Sequence, residues 1–290
     1  MAFRSIDEII GICKEKNISF YEAVLQNTCN DTQQSEEKNI RRMSQMWHVM
    51  RETSENYDRN LKSKSGFVGG SGGLMEQYAK YSQSYCGDFM MTVMSEALKM
   101  AESNACMKRI VAAPTAGSCG VIPAVYIAAQ KHHGFSDSCI IKGLFVSAGI
   151  GQVIAERAFI SGAAGGCQAE IGTGAAMAAG GLAGLKGGTP DQIANAVAMA
   201  IKSMLGLVCD PVAGLVEIPC VKRNVTGAVN AVACAEMALA GIESTIPVDQ
   251  VIDAMREVGE NMLSIYKETA CGGCACTPRG LEVAAALEES

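Results

Sequence analysis

The sequence predicts a mainly α-helical fold, an Ala/Gly-rich helical bundle whose irregular loops carry the candidate metal-ligating residues, with an α/β sandwich as the alternative. Three observations lead there. Apolar residues make up 49% of the 290 positions, yet aromatics only 5%, and there are 31 glycines. A core of that composition is built from Ala, Met, Ile, Val and Leu at close backbone approach, at an entropic cost at each Gly. Val and Ile fall within helical periods rather than in period-two alternation. Helix-start signals also recur, as at Ser5 before IDEIIGICKE and at Thr189-Pro190-Asp191.

In chain order, Ser5 caps the first helix, with Asp7 and Glu8 in its first turn, and a second helix runs through FYEAVLQ. From Asp31 to Lys64 charges outnumber apolar residues, while Met43, Trp47, Met50 and Tyr57 recur at helical spacing. That pattern is a long, partly exposed helix, either a face for a partner or a solvated surface. The run SGFVGGSGGL (65–74) has five glycines and is a loop. Beyond it the spacing predicts helices near 74–83, 88–105, 120–133, 138–162, 168–184, 190–206, 225–241 and 247–266. Asp191 and Asp249 sit in first turns. The chain therefore divides into a polar helical segment, 1–64, and a helical region, 65–290, which holds nearly all the candidate site residues, and the two together are expected to form one continuous domain.

Net charge is −6 and the pI about 5.2, and no Lys/Arg-rich block stands out, which argues against nucleic acid as a partner. The stretch MAFRSIDEIIGICKEKN lacks the apolar core of a signal peptide. No apolar run reaches the ~20 residues of a membrane span; Ile171–Leu185 comes nearest and is short and Gly-rich. The expectation is a soluble cytoplasmic protein with no membrane partner. Thirteen cysteines in such a chain point to metal, catalytic or buried thiols rather than disulfides. Most of them are expected to pack as small core hydrophobes.

Four segments carry candidate chemistry. In RIVAAPTAGSCGVIP (109–123), Pro114, Thr115, Ala116, Gly117 and Ser118 precede a helix, so backbone amides and a helix N-terminus can face an anion such as a carboxylate. An ordinary capped turn has the same composition. In SGAAGGCQAEIGTG (161–174), Cys167 follows two glycines. In GLVCDPVAGLVEIPC (206–220), Pro211, Gly214 and Pro219 break any continuous helix, so Cys209 and Cys220 sit at the ends of an irregular loop, the environment that lowers a thiol pKa. In ETACGGCACTPRG (268–280), Cys271, Cys274 and Cys276 form CxxCxC. By spacing alone that last group is the stronger metal pattern.

Taken together, APTAGSCGVIPAV, ISGAAGGCQAEIGTGAAMAA, GLVCDPVAGLVEIPCVKRN and MREVGENMLSIYKETACGG resemble the α chain of the iron–sulfur-dependent L-serine dehydratases, most strongly from Val111 to Asn224. The resemblance implies a [4Fe–4S] cluster held by Cys167, Cys209 and Cys220, with one iron left open for the serine hydroxyl. It implies a carbon–nitrogen lyase that yields pyruvate and ammonia from L-serine without pyridoxal phosphate. The loop Pro114–Gly120 would then hold the substrate carboxylate. Lys64, Ser65, Lys222, Arg223 and Asn224 are further candidates to face the site. Lys62 and Lys64 beside the Gly-rich loop imitate a pyridoxal site, a reading that leaves the three matched cysteines without a role. His48, His132 and His133 read as structural, so the catalytic base is unassigned. It is expected from a separate β subunit, which makes the enzyme a heterodimer. In single-chain relatives a terminal cysteine can occupy the open iron; this chain ends in AAALEES, and Cys271, Cys274 or Cys276 are the candidates to substitute. The alternatives are a cysteine desulfidase or another cluster-dependent lyase, and a non-catalytic iron–sulfur or metal-binding protein that uses CxxCxC.

Overall fold

The computed structural model describes residues 3–81 and 83–288. The predicted helix end at 83 therefore includes Ser82, which lies outside the described residues, as do the last two residues of AAALEES. Thirteen α-helices are described: α1 Ile6–Lys16, α2 Phe20–Thr32, α3 Glu36–Glu55, α4 Ser71–Tyr81, α5 Asp88–Ala105, α6 Val121–His133, α7 Asp137–Arg157, α8 Gly162–Gly165, α9 Cys167–Leu185, α10 Pro190–Lys202, α11 Cys220–Leu239, α12 Val248–Asn261 and α13 Pro278–Glu288. Among the described residues there is no sheet. The one extended pairing is an isolated parallel bridge between Cys209 and Lys267. The fold is mainly α, and the α/β alternative falls away.

Helix α9 is the centre. It packs on α6, α7, α10 and α11, and nearly all of it is buried. Its glycines let those neighbours in. A Cβ at Gly180 would meet Ile150 Cδ1 at 2.3 Å, and one at Gly181 would meet Tyr126 Oη at 1.9 Å. Tyr126 itself is fully buried, its hydroxyl bonded to Ser147 at 2.9 Å. The N-terminal helices join the same core through Phe3, Ile6, Ile9, Phe20, Val24 and Trp47. Trp47 lies at 1% exposure, and its indole donates to Asp137 at 2.9 Å. Helix α1 is tied to α12 because the Asp249 carboxylate accepts from the Ile6 and Asp7 amides at 2.9 and 3.0 Å, two of the orphan donors at that helix start.

Several helix ends differ from the periodicity. The long polar helix is interrupted: α2 closes at Thr32 with Gln33 in the left-handed region, and Ser35 caps α3. Tyr57 lies beyond α3, and its hydroxyl donates to the buried Glu102, whose carboxylate also accepts from the Ser71 and Gly72 amides at the start of α4. The predicted 138–162 helix stops at Arg157, because Ala158 leaves helical geometry, and the glycines after it form only the one-turn α8. The predicted 190–206 and 247–266 helices stop at Lys202 and Asn261.

The described helix long and apolar enough to cross a bilayer is α7 rather than Ile171–Leu185, which corrects the earlier choice of nearest candidate; 67% of its apolar window is buried inside the bundle. The cysteines also depart from expectation. Besides Cys167, Cys209 and Cys220, only Cys13, Cys119 and Cys234 are buried, while Cys86 and the three of the CxxCxC group are exposed. Those exposed thiols sit on surface turns, where no core face recruits them.

Candidate active site

The three cysteines matched to the family stand at the converging ends of separate elements. Cys167 is the first residue of α9 and Cys220 the first of α11. Cys220 thus stands where the loop ends and α11 begins. Pro219 takes the N-cap position, where its missing N–H costs nothing, so α11 begins five residues before the predicted 225. Cys209 lies in extended backbone after α10, zipped to the C-terminal region. Its amide donates to Tyr266 O at 2.8 Å and its carbonyl accepts from the Glu268 amide at 2.9 Å. All three thiols are buried, with exposures of 1%, 2% and 6%.

Their surroundings favour an anionic sulfur at Cys167. The hydrogen bond from the Cys209 thiol lowers the Cys167 pKa most; burial works against this, and the Arg223 guanidinium adds to it. Cys209, as the donor, is raised by the same bond and then by burial. Cys220 is pushed up to about 12 by burial and by its neighbours Cys167 and Glu170. The positive ends of α9 and α11 point at this group, as suits thiolate ligands. Arg223 is held in place by ion pairing with Asp210 at 2.8 Å and by donating to Val208 O at 2.8 Å. Against the cost of burial, the Cys274 amide and thiol and Arg223 keep Asp210 below the ordinary carboxylate range.

Among the described residues no three His, Cys, Asp or Glu side chains converge as a single metal ion requires. An iron–sulfur cubane makes a different demand, because each thiolate takes its own iron and the ligands stand around the cluster rather than about one point. Three buried, mutually interacting thiols beside a fixed guanidinium, drawn from two helix starts and one loop, fit that donor set. The CxxCxC thiols do not form a comparable group. Cys271 Sγ donates to Thr269 O at 3.2 Å, Cys276 Sγ contacts Ala270 O at 3.8 Å, and Cys274 turns to Asp210, its amide donating there at 2.7 Å. With both Cys274 and Cys276 changed to Ala, iron and sulfide content is expected to match that of the parent protein; loss of the iron signal would move the ligand assignment to this group.

The loop Pro114–Gly120 adjoins the cysteines through two helices. Asn224, one turn after Cys220, accepts from the Gly120 amide and donates to Gly117 O, both at 2.8 Å. Thr115 and Ser118 bond through their hydroxyls at 2.9 Å, and Asn104 donates to Ala116 O at 3.2 Å. The loop is thus fixed, while among the described residues the Ala116, Gly117 and Ser118 amides have no acceptor.

Two acidic residues that the sequence reading passed over stand here as well. Glu170, three residues after Cys167, accepts from the Thr115 hydroxyl, and its carboxylate presses on Gly117, where a Cβ would meet Oε1 at 2.6 Å. Glu268 faces Gly162 alongside Cys209; a Cβ there would meet Cys209 Sγ at 2.6 Å and Glu268 Oε2 at 3.3 Å. Glu268 also has φ 62°, in the left-handed region. The helical spacing from Cys167 was the available signal for Glu170.

The remaining candidates lie further out. Ser65 and Ser63 bond to the buried Glu217 of the 209–220 loop, rather than to a cysteine. Lys64 and Lys222 are exposed, and Lys62 donates to Gly69 O at 2.7 Å. His132 bonds Thr92 at 2.8 Å and packs edge-on to Phe89, and His48 is exposed on α3. A cavity of about 260 Å³ lined by Tyr57, Glu102, Cys106, Lys108 and Arg109 includes none of the three buried cysteines.

The chain also has relatives among known proteins. The family model "Serine dehydratase alpha chain" matches residues 15–275. The chain is 43% identical to a probable L-serine dehydratase α chain of Bacillus subtilis, over 97% of this chain and 94% of that one. It is 40% identical to the L-serine dehydratase α chain of Peptoniphilus asaccharolyticus, over 95% of each. A longer L-serine dehydratase of Mycobacterium bovis is 38% identical over 95% of this chain and 61% of its own length.

Proposed function

Because the chain belongs to the serine dehydratase α-chain family, we propose that it is the α subunit of an L-serine ammonia-lyase. It acts with a separate β chain and converts L-serine to pyruvate and ammonia at a [4Fe–4S] cluster held by Cys167, Cys209 and Cys220. The observation that carries the reading is the meeting of these three buried thiols beside Arg223, next to a fixed loop with three free amides.

When bound, a cluster with three protein ligands supplies a Lewis-acidic iron for the substrate hydroxyl. The chain's own residues do the rest. The Ala116–Ser118 amides receive the substrate carboxylate, and Asn224 and the Thr115–Ser118 pair keep the loop from relaxing, so little reorganisation accompanies binding. Arg223 offsets thiolate charge, and the burial of the three sulfurs keeps bulk water from them. No histidine stands beside the cysteines among the described residues. The group that takes the α-proton is therefore assigned to the β chain. Loss of water from serine gives aminoacrylate, which tautomerises and hydrolyses to the products.

The test is anaerobic co-purification with the β chain, followed by iron and sulfide analysis and a serine-to-pyruvate assay. About four irons per α chain and oxygen-sensitive pyruvate formation are expected. Oxygen-insensitive activity that needs added pyridoxal phosphate, full activity of the α chain alone, or sulfide release from cysteine in place of serine dehydration would each overturn a named part of the reading.

A further inference from the structure

We propose that Glu170, with Glu268 beside it, receives the α-ammonium group of the substrate and so restricts the site to α-amino acids. The inference rests on L-serine as substrate, and it concerns how the site tells an amino acid from the corresponding hydroxy acid.

An α-amino acid carries its carboxylate and ammonium on one carbon. A site that holds both needs an anion-binding and an acidic feature side by side. The structure provides that adjacency: the Glu170 carboxylate lies directly against Gly117, the middle residue of the three whose amides have no acceptor. Thr115 joins the two features by donating to Glu170 from within the same loop. Glu170 is also one helical turn from Cys167, so the feature that would hold the ammonium and the sulfur that would hold the cluster ride on one rigid helix.

The charges around Glu170 do not compensate it. Arg223, the basic side chain among the three cysteines, is committed to Asp210 and the Val208 carbonyl. No basic side chain pairs with Glu170 or Glu268 among the described residues. Burial and the neighbouring Glu268 both act to destabilise the Glu170 anion, which Thr115 only partly relieves. A substrate ammonium beside Gly117 faces the Glu170 carboxylate and offsets the repulsion that Glu268 adds there. A ligand without the ammonium brings its carboxylate to the loop amides with no cation to offset Glu170, and is disfavoured.

The experiment compares L-serine with 3-hydroxypropanoate, which is serine without its amine, on the cluster-loaded αβ enzyme. Steady-state kinetics give KM and kcat for L-serine, and calorimetry gives the affinity of each ligand. In the parent enzyme L-serine is expected to bind at least about tenfold more tightly than 3-hydroxypropanoate. In Glu170→Gln, KM for L-serine is expected to rise by about tenfold or more, with kcat changing less than KM and the preference for the amine-bearing ligand shrinking by a similar factor. Iron content reports that the site is intact. The exposed Glu268→Gln is expected to show the same pattern at smaller size, and it carries the test alone if Glu170→Gln does not fold.

An unchanged ligand preference in both variants would overturn the proposal, as would a fall in kcat with KM unchanged, since that would make Glu170 a proton-transfer group. A parent enzyme that prefers L-serine over 3-hydroxypropanoate but forms no pyruvate would leave the subsite standing and remove the lyase reading instead.

Discussion

Cys209→Ala protein, purified anaerobically, is expected to hold iron and sulfide only at background level and to form no pyruvate. Cys167→Ala and Cys220→Ala should behave alike. Each substitution removes one of the three buried thiols that interact with one another, and the other cysteines, whether buried, half-buried or exposed, have no part in that group. Changing an outer residue gives the scale for comparison. Arg223→Gln removes a guanidinium that interacts with Cys167 and ion-pairs Asp210 but leaves every thiol in place, and it should weaken cluster retention by ~10–100-fold. Loss of a thiol itself exceeds that. The measurement is iron and sulfide content with the visible absorption of the cluster. A Cys209→Ala protein with full iron would remove the assignment.

The second large effect lies away from the cysteines, in the charges buried along α5. Glu96 is 1% exposed and accepts from Lys131 at 2.8 Å, from Lys99 at 3.4 Å and from the Ser54 hydroxyl. Lys99 is itself buried, with Glu76 as its second partner. Removing one member of a buried ion pair leaves an uncompensated charge, and Glu96→Ala is expected to destabilise the fold by ~3 kcal/mol, the lower end of that class because Lys99 keeps Glu76. A loss of that size lowers Tm by about 5 °C in a chain of this length. Against the cost of burial, Lys99 and Lys131 hold Glu96 below its ordinary 4.5. A carboxylate depressed in the folded state stabilises above its unfolded value and ceases to do so as the pH falls through the folded one. Chemical denaturation of parent and Glu96→Gln proteins should thus show the full difference above about pH 4.5 and a shrinking one below it. A difference that does not vary with pH would mean Glu96 acts through packing alone.

The helical class was legible because it depends on local information, namely apolar spacing, capping residues and a composition poor in aromatics. The helix ends were less so, each for an identifiable reason. Apolar residues continue past Arg157, so nothing in the periodicity marks the turn at Ala158. Pro219 reads as a breaker, yet at an N-cap it is compatible with the helix that follows. The cysteine trio was legible only through resemblance to a family. Cys167 and Cys209 are 42 residues apart and Cys220 lies 11 further on, a spacing with no local geometry behind it. Three-dimensional proximity comes instead from the packing of α9 against α10 and α11. CxxCxC looked stronger because its spacing is short, but its thiols have separate partners. Glu268 reaches the site through the bridge between Cys209 and Lys267, a non-local pairing that no sequence window contains.

The glycine face of α9 has a consequence for which changes the chain can absorb. Trimming a bulky core side chain leaves a cavity, and adding a methyl group to a packed small position forces its neighbours off their rotamers; both cost stability. Along α9 the second kind of cost falls on the glycines. At Gly181 a methyl group would overlap Tyr126 Oη and Ser147 Oγ, and at Gly180 it would overlap Ile150 and Val197, so alanine, the smallest change available, already forces these buried side chains to shift. The helix therefore resists enlargement at these glycines as much as it resists trimming of the side chains that fill them. Because Cys167 begins this helix, the placement of the sulfur at one end depends on keeping side chains out of the other.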